Sequence, residues 1–205
     1  SVPKNKLNFT ITGNTISVCR LNLDNENIIS ELCDLMNKYS PVWIQISPSV
    51  LNMLFNYCYI NHKLAPSSIK YVEFMSEVLT KEIRDKARVL FPNATIANMY
   101  GSEEMNAIAY ECPCGKMHIL SDNVHAECLV GEKILPCGEG TMVLTSLNNY
   151  VTPLIRYCQD DRITLGSEVE CDCGFKDKIL TSLIGRTSST AMLNEKMIST
   201  CDISD

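Results

Sequence analysis

The stretch Val42-Trp43-Ile44-Gln45-Ile46-Ser47-Pro48-Ser49-Val50-Leu51 decides the fold class. Its first five residues, apolar apart from Gln45, read as a buried strand. Ser47 then suits a helix N-cap, and Pro48 suits the first helical position, where a missing N–H costs nothing. Val50, Leu51, Leu54, Phe55 and Cys58 continue an apolar helical face behind it. Upstream, Ile28, Ile29, Leu32, Leu35 and Met36 fall on one helical face, with Asp24 or Asn25 as cap and Glu26 in the first turn. Downstream, residues 69–74 read as a strand, Thr80 caps a helix running to about Leu90, and residues 95–99 are strand-like again. Strand and helix in alternation predict an α/β fold, a parallel sheet with flanking helices.

After Gly101 the helical periodicity fades. Short strands are expected over 107–111, 117–120, 124–130, 142–145 and 153–157, with turns at Cys112-Pro113-Cys114-Gly115 and Cys137-Gly138-Glu139-Gly140. This predicts a small antiparallel β-sheet or distorted barrel appended to the α/β part. The expected division is an α/β subdomain over 1–105, an antiparallel β subdomain over 106–186 and a hinge-like tail over 187–205. No internal repeat or polar linker separates them.

The composition sets the class. Of 205 residues, 45% are hydrophobic and 20% charged, which excludes a disordered, collagen-like or coiled-coil chain. No apolar run is long enough for a membrane-spanning helix, and Ser1-Val2-Pro3-Lys4 does not open a secretory signal. The net charge of −6 lacks the basic footprint of a nucleic-acid binder, which argues against a zinc-ribbon-type nucleic-acid module. Eleven cysteines cannot all pair within the chain. Cys19, Cys33, Cys58, Cys128, Cys137, Cys158 and Cys201 are scattered among apolar residues and read as small hydrophobes of a reduced, cytoplasmic protein. His62 and His125 stand alone and read as surface or packing residues.

Three stretches carry candidate chemistry. Asn98-Met99-Tyr100-Gly101-Ser102-Glu103-Glu104 lies where a strand is expected to end, the edge at which open α/β sheets bind ligands. Its glycine permits a tight turn, its tyrosine offers a flat face, and its acids offer hard oxygens for Mg²⁺. Pro153-Leu154-Ile155-Arg156-Tyr157-Cys158-Gln159-Asp160-Asp161 brings two acids to an expected strand end, where a carboxylate can hold a sugar diol. Gly185-Arg186 adds a permanent cation. Taken alone, each of the two acidic stretches reads first as a solvated turn, and a lone Gly-Arg carries little. Separately, Cys112, Cys114, His118, Cys171 and Cys173 offer five candidates for a tetrahedral zinc site of four.

In this order, Tyr-Gly-Ser-x-Glu, Pro-Leu-Ile-Arg-Tyr-x-x-x-Asp, Cys-x-Cys-Gly and Gly-Arg resemble the adenylate-forming (acyl-activating) enzyme superfamily. The similarity is greatest to its phenylacetate–CoA ligase-like, capsule-cluster-related branch. Ser47-Pro48-Ser49-Val50-Leu51, Phe74-Met75-Ser76-Glu77-Val78-Leu79 and His118-Ile119-Leu120-Ser121-Asp122-Asn123 also look like that branch, and the likeness runs from about Leu23 to Met192. Such enzymes join a carboxylate to the α-phosphate of ATP, release pyrophosphate and pass the acyl group to a thiol such as CoA. The resemblance implies that Tyr100 stacks on adenine, with Gly101 and Ser102 in the same motif, and that Glu104 is the catalytic Mg²⁺ ligand. It further implies that Asp161 binds the ribose, that Arg186 contacts the nucleotide near a hinge, and that Ser76 and Glu77 fall in the loop beside adenine. For zinc it implies Cys112, His118, Cys171 and Cys173 as a closed structural site, with Cys114 an alternate or a bystander. The implied partners are a small-molecule carboxylate and ATP, and a second copy or the remaining parts of the ligase, with no nucleic acid and no membrane.

The chain also departs from that pattern. Glu103 replaces a threonine, Met75 and Ser76 stand for glycines, and Cys158-Gln159-Asp160 stands for Arg-Thr-Gly. Ser188 replaces the hinge aspartate. The phosphate loop is expected upstream of residue 1, and the C-terminal lid with its catalytic lysine after Arg186, where Lys196 is no substitute. The expectation is therefore the core of a ligase large domain without full turnover by itself. The alternative is a catalytically inactive, zinc-stabilised binding or scaffolding domain.

Overall fold

The structure, a computed structural model, describes residues 9–19, 23, 25–186, 190–193 and 196–199, the last two stretches as backbone. The readings of Asp24, Ser188 and Cys201 lie outside the described residues. Two compact units divide between Ile96 and Ala97. No described helix is long and apolar enough to cross a membrane.

The first unit holds an antiparallel hairpin, β1 (Phe9–Thr12) and β2 (Thr15–Val18), and then helix and strand in alternation: α1 (Glu26–Tyr39), β3 (Trp43–Ile46), α2 (Pro48–Ile60), β4 (Tyr71–Phe74) and α3 (Lys81–Leu90). Strands β3 and β4 are parallel, with Ile44 opposite Val72 and Ile46 opposite Phe74. Thr95, heading β5 (Thr95–Ser102), gives its N–H to the Lys70 carbonyl at 2.9 Å. The expected α/β class is the observed one.

Local chemistry sets these helices. The Asn25 side chain accepts the Asn27 N–H at 3.0 Å and caps α1. The Thr80 hydroxyl accepts the Ile83 N–H at 3.3 Å and caps α3. Ser47 holds the N-cap place of α2, but its side chain makes no capping bond. That role falls to Glu77, beyond β4, whose carboxylate accepts the Ser49 N–H at 2.9 Å and the Ser49 hydroxyl at 2.8 Å. A carboxylate suits the partial positive charge of a helix N-terminus. Leu51, Leu54, Cys58, Val72, Phe74 and Ala87 pack with Ile29, Cys33 and Met36 into one core. A fully buried Leu or Phe contributes roughly 1.5–3 kcal/mol, so this face, more than helix propensity, holds the unit together.

The second unit is antiparallel. It adds β6 (Asn106–Glu111), β7 (Met117–Ile119), β8 (Val124–Val130), β9 (Lys133–Leu135), β10 (Gly138–Ser146), β11 (Tyr157–Glu170) and β12 (Lys176–Arg186). Neighbours run β5-β6-β7-β12-β11-β10-β8-β9. A further hairpin pairs β13 (Thr190–Leu193) with β14 (Lys196–Ser199), so Lys196 opens a strand. Ile108, Ile119, Met142, Leu144, Ile163 and Leu165 form the core.

Three expectations are corrected here. Residues 153–156 form no strand, with a bend at 155–156, and the strand starts only at Tyr157, because Pro153 lacks a ladder N–H and Arg156 sits at φ +50°. Residues 138–140 are no turn: they open β10, Gly138 facing Leu165 and Gly140 facing Ile163. Asp160 and Asp161 stand near the start of β11, not at a strand's end. Between Thr141/Arg162 and Val143/Cys158 the register shifts, so residues 159–161 bulge from the ladder, with Asp160 at φ +64°. An aspartate tolerates the left-handed region better than most residues, where the resembled pattern uses glycine.

Candidate functional site

The second unit gathers the nucleotide-motif residues. Tyr100 lies on β5, Asp161 in the bulge of β11, and Arg186 at the end of β12, in register with Asp161. The Tyr100 hydroxyl donates to Asp161 Oδ2 at 2.6 Å, and Arg186 Nε stands 3.9 Å from Oδ1. Tyr100 and Asp161 are 8% and 7% exposed, whereas the Arg186 side chain is 59% exposed. Burial, and then the bond to the Asp161 carboxylate, push the Tyr100 phenol well above its ordinary range, so it remains a donor. The ring belongs to the core cluster. In this structure the residue expected to stack on adenine is therefore packed inside and tied to the residue expected to hold the ribose.

Gly101 is required for a reason other than a tight turn. A Cβ there would lie 2.4 Å from the Asn106 carbonyl oxygen and 3.0 Å from Met99 Sδ. The bare backbone lets β5 and β6 approach at the irregularity between Tyr100 and Gly101. Ser102 ends β5 and accepts the Met105 N–H at 3.3 Å across the turn holding Glu103 and Glu104. Glu104 is exposed and accepts from the Tyr157 hydroxyl at 3.4 Å. Its own backbone amide and the Ser102 hydroxyl, with help from Tyr157 and Arg186, hold its carboxyl below the usual range. It is an ionised oxygen donor at neutral pH, the kind of ligand Mg²⁺ takes.

Motif residues whose roles the sequence left unassigned also appear. Arg156 forks onto Glu127 through Nε and Nη2, both at 3.1 Å, and fixes the loop before β11. Tyr157 supplies the donor to Glu104. Gln159 is buried, and its Oε1 has no hydrogen-bond partner among the described residues. Its neighbours in the Arg-Tyr-x-x-x-Asp motif were the available signal.

Ser76 and Glu77 belong to the first unit. Ser76 has φ +72°, and Glu77 is engaged at the α2 N-terminus. Ser76 also lines an open groove of about 800 Å³ with Ile16, Leu35, Trp43, Ile44 and Val50. Among the described residues, no carboxylate, imidazole or cation lines that groove.

The zinc candidates converge. One ligand atom each from Cys112, His118, Cys171 and Cys173 lies within 4.8 Å of all the others. Cys112 Sγ and Cys171 Sγ are 3.9 Å apart, and Cys173 Sγ is 3.6 Å from His118 Nε2. Sulfur at about 2.3 Å and nitrogen at about 2.0–2.1 Å on a tetrahedron stand about 3.8 Å (S···S) and about 3.6 Å (S···N) apart, so the set fits Zn²⁺. Cys171 and His118 are each 3% exposed, and the Phe175 ring lies 5.8 Å from the imidazole. The Cys173 backbone N–H, then the surrounding thiols and His118, draw the Cys171 thiol down to about 6. Cys114 is exposed and outside this set.

No protein-family model matches the chain. No curated protein matches it. Solved structures do. A 2-hydroxyisobutyryl-CoA ligase in the postadenylation state superposes with TM-score 0.75 at 17% identity, over 86% of this chain and 39% of that one. The anthranilate CoA ligase AuaEII with anthranoyl-AMP gives 0.62 at 14%, over 85% and 35%. O-succinylbenzoate coenzyme A synthetase (MenE) from Bacillus subtilis with AMP gives 0.59 at 13%, over 85% and 37%. The fold is that of the adenylate-forming acyl-CoA ligases, and the chain spans about two fifths of those ligases' length.

Proposed function

We propose that this chain is a core part of the large domain of an adenylate-forming ligase, which activates a carboxylate as an acyl-AMP for transfer to a thiol such as CoA. The observation that supports it is the meeting of Tyr100, Asp161 and Arg186 in one hydrogen-bonded and ionic cluster, from strands far apart in sequence. On this reading Asp161 accepts the ribose hydroxyls, Tyr100 presents its ring to adenine, and Arg186 places positive charge beside the nucleotide. Glu104 is the residue that would hold Mg²⁺, which neutralises phosphate charge when bound. Cys112, His118, Cys171 and Cys173 hold a closed structural Zn²⁺ with no open position for substrate.

A second reading is a zinc-stabilised binding domain that has lost nucleotide. The burial of Tyr100 in the core and the engagement of Asp161 favour it. Calorimetric titration with Mg·ATP separates the two. The first reading expects saturable binding that weakens about tenfold in Asp161→Asn, the equivalent of losing one charged hydrogen bond. Asn preserves volume and still accepts from Tyr100, where Ala would orphan a buried hydroxyl. No binding at millimolar ATP supports the second, and equal affinity in the variant removes the ribose role of Asp161 from the first.

A further inference from the structure

The two cysteine turns are built alike. In Cys112-Pro113-Cys114-Gly115-Lys116 the Gly115 N–H reaches the Cys112 carbonyl at 2.8 Å, and the Cys112 N–H reaches the Lys116 carbonyl at 2.9 Å. In Cys171-Asp172-Cys173-Gly174-Phe175 the Gly174 N–H reaches the Cys171 carbonyl at 2.8 Å, and the Cys171 N–H reaches the Phe175 carbonyl at 3.0 Å. Both glycines have positive φ, +76° and +89°. In the second turn this backbone brings both cysteines to one centre. In the first turn only Cys112 is there. Cys114, the counterpart of Cys173, is exposed, and the vertex is filled by His118 from β7.

We infer that Cys114 is a reserve zinc ligand, able to take a vertex when His118 or Cys173 leaves it, so that the site has two four-donor sets, Cys₃His and Cys₄. This rests on the zinc reading of the cluster. The first turn has the same hydrogen bonds and the same glycine as the turn that already chelates through both its cysteines, so the geometry of a second thiolate on the same ion is available to it. A cation held by thiolates favours a fourth thiolate over an open or water-filled vertex in a closed structural site.

Cobalt(II) is the probe, titrated into the full chain and read by its visible d–d and thiolate charge-transfer bands. The wild type is expected to bind one tetrahedral Co²⁺ with three thiolates. His118→Ala is expected to keep one Co²⁺ within tenfold of wild-type affinity, with charge-transfer intensity higher by about one third, as four Co–S bonds replace three. Adding Cys114→Ser is expected to cost at least a further hundredfold and to return the intensity to three thiolates. Where His118→Ala does not fold, His118→Gln keeps the volume. Cys173→Ser with and without Cys114→Ser poses the same question from the other turn, the expected spectrum then staying Cys₃His in the single variant. Equal affinity and identical spectra for the single and double variants would overturn the reserve role while leaving the zinc site standing. Absence of tetrahedral Co²⁺ in the wild type overturns both.

Discussion

The hydroxyl of Tyr100 donates to Asp161 Oδ2 at 2.6 Å across 61 residues of sequence, and both side chains are buried. A buried hydrogen bond to a charged acceptor is worth about 1.5–3 kcal/mol, and the phenol contributes it only while protonated. Its pKa is raised in the fold, so the bond's full stability is present below the unfolded value near 10 and is lost as pH rises beyond it. Tyr100→Phe is therefore expected to lose roughly 1.5–3 kcal/mol at neutral pH, with the gap to wild type narrowing above about pH 10. Urea denaturation at a series of pH values checks this. A gap that widens with alkaline pH has the wrong sign and removes the bond as its cause.

Gly101 is predicted to be intolerant of any side chain. The atom a Cβ would strike is the Asn106 backbone carbonyl, at 2.4 Å, and a backbone oxygen cannot rotate away as a side chain can. Gly101→Ala is expected to cost roughly 1–3 kcal/mol, the range of overpacking, and to move Tyr100 next to it. Loss of stability should be accompanied by a change in Tyr100 environment, readable in near-ultraviolet circular dichroism. An alanine variant as stable as wild type would mean that β5 and β6 stand further apart.

Glu77 links β4's exit to the start of α2. Because Ser47 makes no capping bond and Pro48 has no N–H to offer, the Glu77 carboxylate is the side chain that satisfies Ser49. Glu77→Ala is expected to destabilise the first unit by about 0.5–2 kcal/mol, the range of a lost cap. Thr80→Ala, which removes the ordinary cap of α3, should cost a similar amount. Hydrogen exchange at the first turn of α2 locates the effect. Fraying confined to α3 in the Glu77 variant would contradict it.

The α/β part was legible because its signals are local. Asn25, Pro48 and Thr80 mark helix starts by chemistry that acts within three residues, and the apolar faces of α1 and α2 repeat at helical spacing. The long strands β11 and β12 were not legible. Polar residues such as Gln159, Asp161 and Lys178 interrupt their alternation, and a register bulge removes the period-two signal. In the site, Tyr100, Glu104, Asp161 and Arg186 carry a motif, so order along the chain pointed to them. Glu77 at a helix end and the forked Arg156–Glu127 pair are contacts across 28 and 29 residues. No spacing rule reaches that far.

Metal removal is the sharpest test of the Cys₃His cluster. Because a preformed set of ligands does not exist in the unfolded chain, metal binding free energy is also folding free energy. Free zinc at about 1,000 times its dissociation constant adds about 4 kcal/mol to stability. A strong chelator should therefore lower the melting temperature of the wild type, and the double variant Cys114→Ser/Cys173→Ser, which leaves no thiol for the vacated vertex, should release zinc more readily and lose most of the chelator's effect. With the Cys171 thiol drawn from its ordinary value near 9 down to about 6, its contribution is full above about pH 9 and is lost as pH falls from there through 6. Release of metal should set in over the same interval. Zinc content by elemental analysis, followed from pH 8 to 5 beside the melting curve, checks both. Identical melting temperatures with and without chelator at pH 8 would show that the four side chains meet for packing alone.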